Sequence, residues 1–244
     1  VDDFTSVFNT LSLLQQQQGL FLPQERVRGF IDPSAQISPK THVGRAYIAG
    51  GVIIHTGAYI DDDVFIDEGA VINPGVVIHG PSHIGRYSII GSNSVIGSKA
   101  FVPYKEKTLE SLGGTFIGEE VEIGALCTID RGLIGNTRIM NKSRLDNMVH
   151  CGHDAYVGRD VAIAAQSGLA GFAKLCDGVS VGGQSGVGPQ VVIGTGARLS
   201  GKSFAHRDIK SWEIWSGNPA LPHSQYLRAY ARDKRYKKGL NNDS

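Results

Sequence analysis

The sequence predicts an all-β solenoid: a left-handed parallel β-helix of hexapeptide repeats, about nine coils long, with short N- and C-terminal helices. Three observations carry this. Ile48, Ile54, Ile60, Ile66, Ile72, Ile78, Ile84, Ile90 and Ile96 recur at every sixth position. A second run continues the spacing through Ile139, Leu145, Cys151, Val157, Ile163, Leu169, Leu175, Val181, Val187, Ile193 and Leu199. Gln166-Ser167-Gly168 returns eighteen residues later as Gln184-Ser185-Gly186, and once more as Lys202-Ser203. A period of six is neither the two of a strand nor the 3.6 of a helix. It describes a short strand and a corner, three of which close one triangular coil.

The elements follow in chain order. Residues 1–29 read as an N-terminal helix and linker: Phe4, Val7, Phe8, Leu11 and Leu14 keep helical spacing behind Asp2 or Asp3 as N-cap, and a glutamine run leads to Gly19 and Pro23. Residues 30–203 are the β-helix, a prism of about 40 Å at ~4.8 Å per strand. Its aliphatic residues point inward. The next position is often glycine (Gly85, Gly91, Gly97, Gly124, Gly158, Gly194), which suits the backbone of a tight corner. Residues 204–244 form a C-terminal extension. Its helix, from about His223 to Lys238, sets Arg228, Arg232, Lys234, Arg235, Lys237 and Lys238 against Asp233.

The period breaks in three places: one residue is missing between Val43 and Ile48, a polar loop of residues 103–115 leaves the prism, and the spacing slips around Arg131-Gly132. A solenoid needs none of these departures, so they are where function is expected.

Composition limits the partners. The net charge is +1, which gives no field for nucleic acid. No stretch approaches the ~18 apolar residues of a membrane span, and no basic-then-apolar leader opens the chain. The expected localisation is cytoplasmic, with at most peripheral membrane contact. Cys127, Cys151 and Cys176 show no C-x-x-C spacing and read as reduced, structural residues.

Chemistry centres on residues 145–154. Cys151 takes an inward position, so His153 should project outward, flanked by Asp146 and Asp154. Such a histidine is a general-base candidate, its tautomer set by a carboxylate; the alternative is an ordinary surface histidine. Eighteen residues on, Gly171 should lie one coil away, about 5 Å off. It offers a bare backbone amide suited to an oxyanion. Gln166, Gln184 and Lys202 stack one per coil, either lining a groove for a pantetheine arm or merely stabilising the stack. The C-terminal basic helix is suited to the phosphates of coenzyme A or to an acidic carrier protein; the alternative is a solvated helix end. His55, His79 and His83 carry no metal-ligand pattern, and no metal site is expected.

Several of these segments together resemble a known family. Ile129-Asp130-Arg131-Gly132, Leu145-Asp146-Asn147, Gly152-His153-Asp154, Gly168-Leu169-Ala170-Gly171, Gly182-Gly183-Gln184-Ser185-Gly186 and Gly217-Asn218-Pro219-Ala220 are similar to motifs of UDP-3-O-acylglucosamine N-acyltransferases of lipid A synthesis. The resemblance covers roughly residues 30–225. It implies a homotrimer with sites between subunits, no bound cofactor, and a 4'-phosphopantetheine thioester on acyl carrier protein as acyl donor. It implies a glucosamine-nucleotide amine as acceptor, or a related nucleotide-sugar or lipid-sugar. On that model His153 is the base, Asp146 orients or polarises the site, and Gly171 holds the oxyanion. Asn147, His150, Asp154, Gln166, Gln184 and Lys202 contact substrate, and Arg228, Arg232, Lys234 and Arg235 meet the carrier. The chain departs from the family in lacking a uridine-binding domain ahead of the repeats, in Gly97-Ser98-Lys99-Ala100-Phe101-Val102, and in His150. The His-x-x-His-Asp pattern made by His150 resembles the O-acyltransferase of the same pathway. A short-chain N-acyltransferase using acyl-CoA and a non-catalytic scaffold are the competing readings.

Overall fold

The computed structural model describes residues 29–240, which form a left-handed parallel β-helix ending in one helix, His223–Leu240. The N-terminal helix expected from Phe4 to Leu14 lies outside the described residues. Three flat sheets make the faces of the prism: a first and a third of nine strands each, and a second of eleven. Strands are two to four residues long and pair in parallel with the coil above and below, except where Leu221–Pro222 returns antiparallel on Ile214–Ser216.

The isoleucine ladder is the core. Ile48, Ile60, Ile66, Ile72, Ile78, Ile84, Ile90 and Ile96 are wholly buried, and Cys151 and Leu175 replace isoleucine in the same stack. Each such side chain contributes about 1.5–3 kcal/mol of burial, so the prism is held by many equal increments rather than by one centre.

The corners differ from expectation. The left-handed backbone falls three residues after the inward aliphatic, not one: after Leu145 it is Met148 (φ 61), then Gln166 (φ 61), Gln184 (φ 56) and Lys202 (φ 55), each one coil on. Gly85, Gly91, Gly124, Gly158 and Gly194 are needed for a different reason. A Cβ on Gly85 would lie 2.4 Å from the Gly118 carbonyl oxygen, and one on Gly91 2.4 Å from the Gly124 carbonyl carbon. These positions touch the next coil's backbone and leave no room for a side chain. Only Gly97 of the six has a positive φ, at a bulge in its strand.

The Gln-Ser-Gly repeat now reads as three roles. The first residue takes the left-handed corner. The serine turns inward, where Ser167 Oγ donates to the Gly182 carbonyl (3.0 Å) and accepts the Ser185 amide (3.2 Å). The glycine faces outward on the third sheet.

Pairing also locates every break. Phe30 pairs with Tyr47, one short of the eighteen-residue step, while His83 pairs with Phe116 across the long loop, and Phe116 with Arg138 across the slip. Sequence spacing missed a fourth, at the C-terminal end, where Arg198 pairs with Ile214. The prism therefore does not stop at Ser203: Phe204–Ala205 joins the third sheet, Ile209 bridges to Ile193, and Ile214–Ser216 closes an extra turn beyond the nine coils expected. The loop itself holds a two-stranded hairpin, Pro103–Tyr104 with Lys107–Thr108. No helix among the described residues is long and apolar enough to cross a membrane.

Candidate active site

His153 sits at the corner between the third sheet, which its chain leaves at His150–Cys151, and the first, which it enters at Tyr156–Val157. Its Nδ1 lies 3.0 Å from Asp154 Oδ2, and its ring meets Phe172 edge-on at 5.1 Å. The eighteen-residue step places Gly171 beside it, and closely: a Cβ there would fall 2.5 Å from His153 Nε2. The imidazole therefore lies directly over the glycine. The amide of Gly171 donates to nothing among the described residues, whereas Phe172 on the same corner donates to the His153 carbonyl (2.9 Å). A neutral imidazole with its Nδ1 turned to a carboxylate leaves Nε2 as the open basic atom. That atom lies against Gly171, whose N–H is unused among the described residues.

Asp154 is anchored from the other side. The Leu133 N–H donates to its Oδ2 (2.6 Å) and the Gly135 N–H to its Oδ1 (2.7 Å), while its own amide donates to Thr137 Oγ1 (2.9 Å). Burial alone would raise the Asp154 carboxyl; the His153 contact and the Leu133 and Gly135 amides outweigh it and hold the group below the usual carboxylate range.

The other expected site residues divide. His150 is on the strand that leads to that corner, with Nδ1 2.8 Å from Thr128 Oγ1 and Nε2 3.9 Å from the buried Asp130. Asp146 and Asn147 lie across that sheet, at the corner before it. Asp146 Oδ1 accepts the Asn147 amide (2.7 Å) and Asn147 Oδ1 accepts the Ala125 amide (2.7 Å), so within one chain neither is brought to His153. The carboxylate that touches His153 is Asp154. Gln166 and Gln184 form the expected ladder, Gln184 Nε2 donating to Gln166 Oε1 (2.6 Å), with Lys202 next in the column. This ladder shares the corner of Asp146. Arg228 and Arg232 are exposed on the terminal helix, while the side chains of Lys234 and Arg235 lie outside the described residues.

A depression of about 550 Å³ lies on the second sheet, lined by Ile89, Glu122, Arg144, Asp146, Ala162 and Ser180 among others. It holds Asp146 but not His153. The candidate site is better placed at His153, where an imidazole is paired with an anchored carboxylate and lies against a glycine with an unused amide. No cluster of histidine, cysteine and carboxylates suited to a metal occurs among the described residues. Burial pushes the Cys127 and Cys151 thiols up, away from thiolate chemistry.

Sequence spacing missed the Leu133 and Gly135 amides. They are backbone groups on a slipped turn, and neither residue type signals the contact.

Comparison with known proteins agrees with the fold. Residues 63–98 match the family model for bacterial transferase hexapeptides (six repeats). Over 123 residues the chain is 37% identical to the UDP-3-O-acylglucosamine N-acyltransferase of Caulobacter sp. (strain K31), which is 50% of this chain and 36% of that protein. It is 40% identical over 130 residues to that of Maricaulis maris (strain MCS10), 53% of this chain and 38% of the relative. The matched region thus spans little more than a third of these curated relatives. Among solved structures, the UDP-N-acetylglucosamine acyltransferase from Campylobacter jejuni aligns with a TM-score of 0.66 at 28% identity, covering 79% of this chain and 73% of that one. The chain is a left-handed hexapeptide β-helix, similar in sequence to the first kind of acyltransferase and in shape to the second.

Proposed function

We propose that this chain is an acyltransferase of the lipid A type. It moves a (3-hydroxy)acyl group from a 4'-phosphopantetheine thioester on acyl carrier protein to the amine of a UDP-glucosamine-type acceptor. The observation that carries the reading is His153 paired with Asp154 and lying over the unused amide of Gly171.

The chemistry follows from that geometry. The acceptor amine attacks the thioester carbonyl, and His153 Nε2 takes the proton that the nitrogen sheds. Asp154 accepts from Nδ1–H, which fixes the tautomer and stabilises the imidazolium that forms. The carbonyl oxygen becomes an oxyanion and receives the Gly171 N–H. Collapse expels the pantetheine thiolate, which takes the proton back from His153. An amine nucleophile needs no covalent enzyme intermediate. The working form is a cytoplasmic homotrimer, in which a neighbouring subunit brings the Asp146 and Gln166–Gln184 corner towards His153. The exposed Arg228 and Arg232 meet the acidic carrier.

One observation favours a second acceptor chemistry. His150 precedes His153 by three residues in a His-x-x-His-Asp run, and the solved structures similar in shape include UDP-N-acetylglucosamine acyltransferases. A sugar hydroxyl would then replace the amine at the same base. A mass-spectrometric screen separates the readings: 3-hydroxyacyl carrier-protein thioesters and short acyl-CoAs, each with UDP-sugar amines and hydroxyls. Amide product from the carrier donor is expected. Ester product would favour the second acceptor, acyl-CoA turnover would replace the donor, and no product from any pair would sink the reading.

A further inference from the structure

We propose that two interruptions of the repeat are one device: the loop of residues 99–114 and the slipped turn of residues 131–136 lock together and present the Leu133 and Gly135 amides that aim Asp154 at His153. Leu109, Leu112 and Leu133 are then positioning residues for the base. The inference rests on the reading of His153 as that base.

The loop is zipped to itself first. The Leu109 N–H donates to the Val102 carbonyl (3.0 Å) and the Ala100 N–H to Ser111 Oγ (2.9 Å). It is then zipped to the turn, in both directions. The Leu112 amide donates to the Leu133 carbonyl (2.9 Å) and the Gly113 amide to the Gly132 carbonyl (3.0 Å), while the Gly132 amide donates to Gly114 (3.0 Å). Around these bonds Ala100 and Leu133 form a second apolar cluster, apart from the solenoid core, with Val102, Leu109, Leu112 and Ile134 against it. The contact is tight: a Cβ on Gly113 or Gly132 would run into the Gly135 carbonyl oxygen.

This assembly has one outlet towards the site. Its far side carries the Leu133 and Gly135 amides, both donating to the Asp154 carboxylate. The corner itself has no need of such a grip. Phe172 and Gln190 follow Asp154 in the same column with the same left-handed backbone, and neither draws on an inserted turn. A regular coil offers a carboxylate a single spare corner amide, as Arg159 does for Asp177 (2.8 Å), whereas this break turns the amides of Leu133, Ile134 and Gly135 towards one. Several backbone donors on one turn fix a carboxylate in position and direction, which a mobile side chain would not.

The test uses the full chain with Leu133→Ala, Leu133→Met and, as a control, Leu199→Ala in the solenoid core. It follows hydrogen exchange at residues 133–135, the imidazole 15N signals of His153, and acyl-transfer kinetics. In Leu133→Ala the Leu133 and Gly135 amides should exchange faster, and His153 should pass from one tautomer to a mixture. kcat should fall about 10–100-fold, the scale of a misaligned catalytic group, with KM within about twofold. Leu133→Met, of similar volume, should restore all three readouts. Leu199→Ala should lower stability and leave the His153 signals alone. If Leu133→Ala does not fold, Leu112→Ala, partly buried on the loop side, gives the same readouts. The inference is overturned if the amides loosen while the His153 signals and kcat stay as in the parent chain, or if Leu199→Ala shifts them equally. Should the parent chain transfer no acyl group, the functional reading fails, and the exchange and imidazole signals still decide the clamp.

Discussion

His83 and His153 each set an imidazole nitrogen beside a carboxylate, 3.1 Å from Asp67 in one case and 3.0 Å from Asp154 in the other. Both side chains are largely sheltered, 21% and 16% exposed. Their surroundings separate them. His83 stands in an outward ladder on the first sheet, edge-on to Phe65 at 5.2 Å and to Phe116 at 5.1 Å, so the neighbouring coils fill the space beside its ring. Among the described residues His153 meets only Phe172 edge-on, at 5.1 Å, and has Gly171, with no side chain, against its Nε2; its carboxylate is held by the Leu133 and Gly135 amides, with that of Ile134 at 3.4 Å. The Asp67 carboxylate takes none among the described residues. A histidine–aspartate pair is therefore not a site in itself. It becomes a candidate where a bare glycine rather than a second ring lies against the imidazole and where the carboxylate is anchored by something other than the histidine.

This contrast can be broken by substitution. The largest effect belongs to His153→Ala, which should lower kcat about 10²–10⁴-fold, the usual worth of a positioned acid–base group. Undiminished thioester-dependent acylation would return the chain to the scaffold reading. Next is Asp154→Asn, which the left-handed corner accepts (φ 56). It should cost about 10–100-fold in kcat by loosening the imidazole, and about 1–3 kcal/mol of stability at neutral pH by weakening charged hydrogen bonds. The sign of the pH dependence follows from the lowered carboxyl. Asp154 stabilises the fold above the carboxylate pKa of the unfolded chain, and that contribution is lost as pH falls through the lower folded value. Urea titrations of the parent and Asp154→Asn should therefore converge on acidification; a constant gap would contradict the assignment.

Smaller effects sharpen the same comparison. Gln184→Ala removes the bond to Gln166 on an exposed corner. If that ladder receives the donor arm, KM for the thioester should rise about two- to tenfold, one neutral hydrogen bond's worth, at constant kcat. A change in melting temperature alone would make the ladder purely structural. Smallest is His83→Phe, which keeps a ring in the ladder and should leave acyl transfer within about twofold and stability within about 1.5 kcal/mol. A loss comparable to that of His153→Ala would mean the two pairs had been ranked wrongly.

The regular parts of this molecule were legible in the sequence because periodicity and geometry are the same fact there. Ile48 to Ile96 and Ile139 to Leu199 are spaced by the coil, so the step from His153 to Gly171 could be read by counting. The counting fails where the coil length changes. Between Ile129 and Ile139 the register runs long, and the residues that grip Asp154 are a leucine and a glycine acting through their amides. Nothing in those residue types announces a carboxylate partner. Asp146 was favoured as the orienting acid from the family resemblance, yet within one chain a whole sheet separates it from His153. The corner glycines were placed correctly for a reason that the geometry replaces, since close approach between coils is not visible in a φ-based argument.

That base and oxyanion donor meet across one coil step is the claim on which the mechanism rests, and Gly171→Ala addresses it. The backbone at Gly171 is not left-handed, so alanine is accepted there, and its methyl would meet the movable His153 ring rather than another backbone. The measurement is the single-turnover rate of acyl transfer by Gly171→Ala under saturating donor and acceptor. A fall of about 10²-fold with parent-like stability is expected, matching a displaced base or an oxyanion donor obstructed by the added methyl. Transfer at the parent rate would contradict the claim.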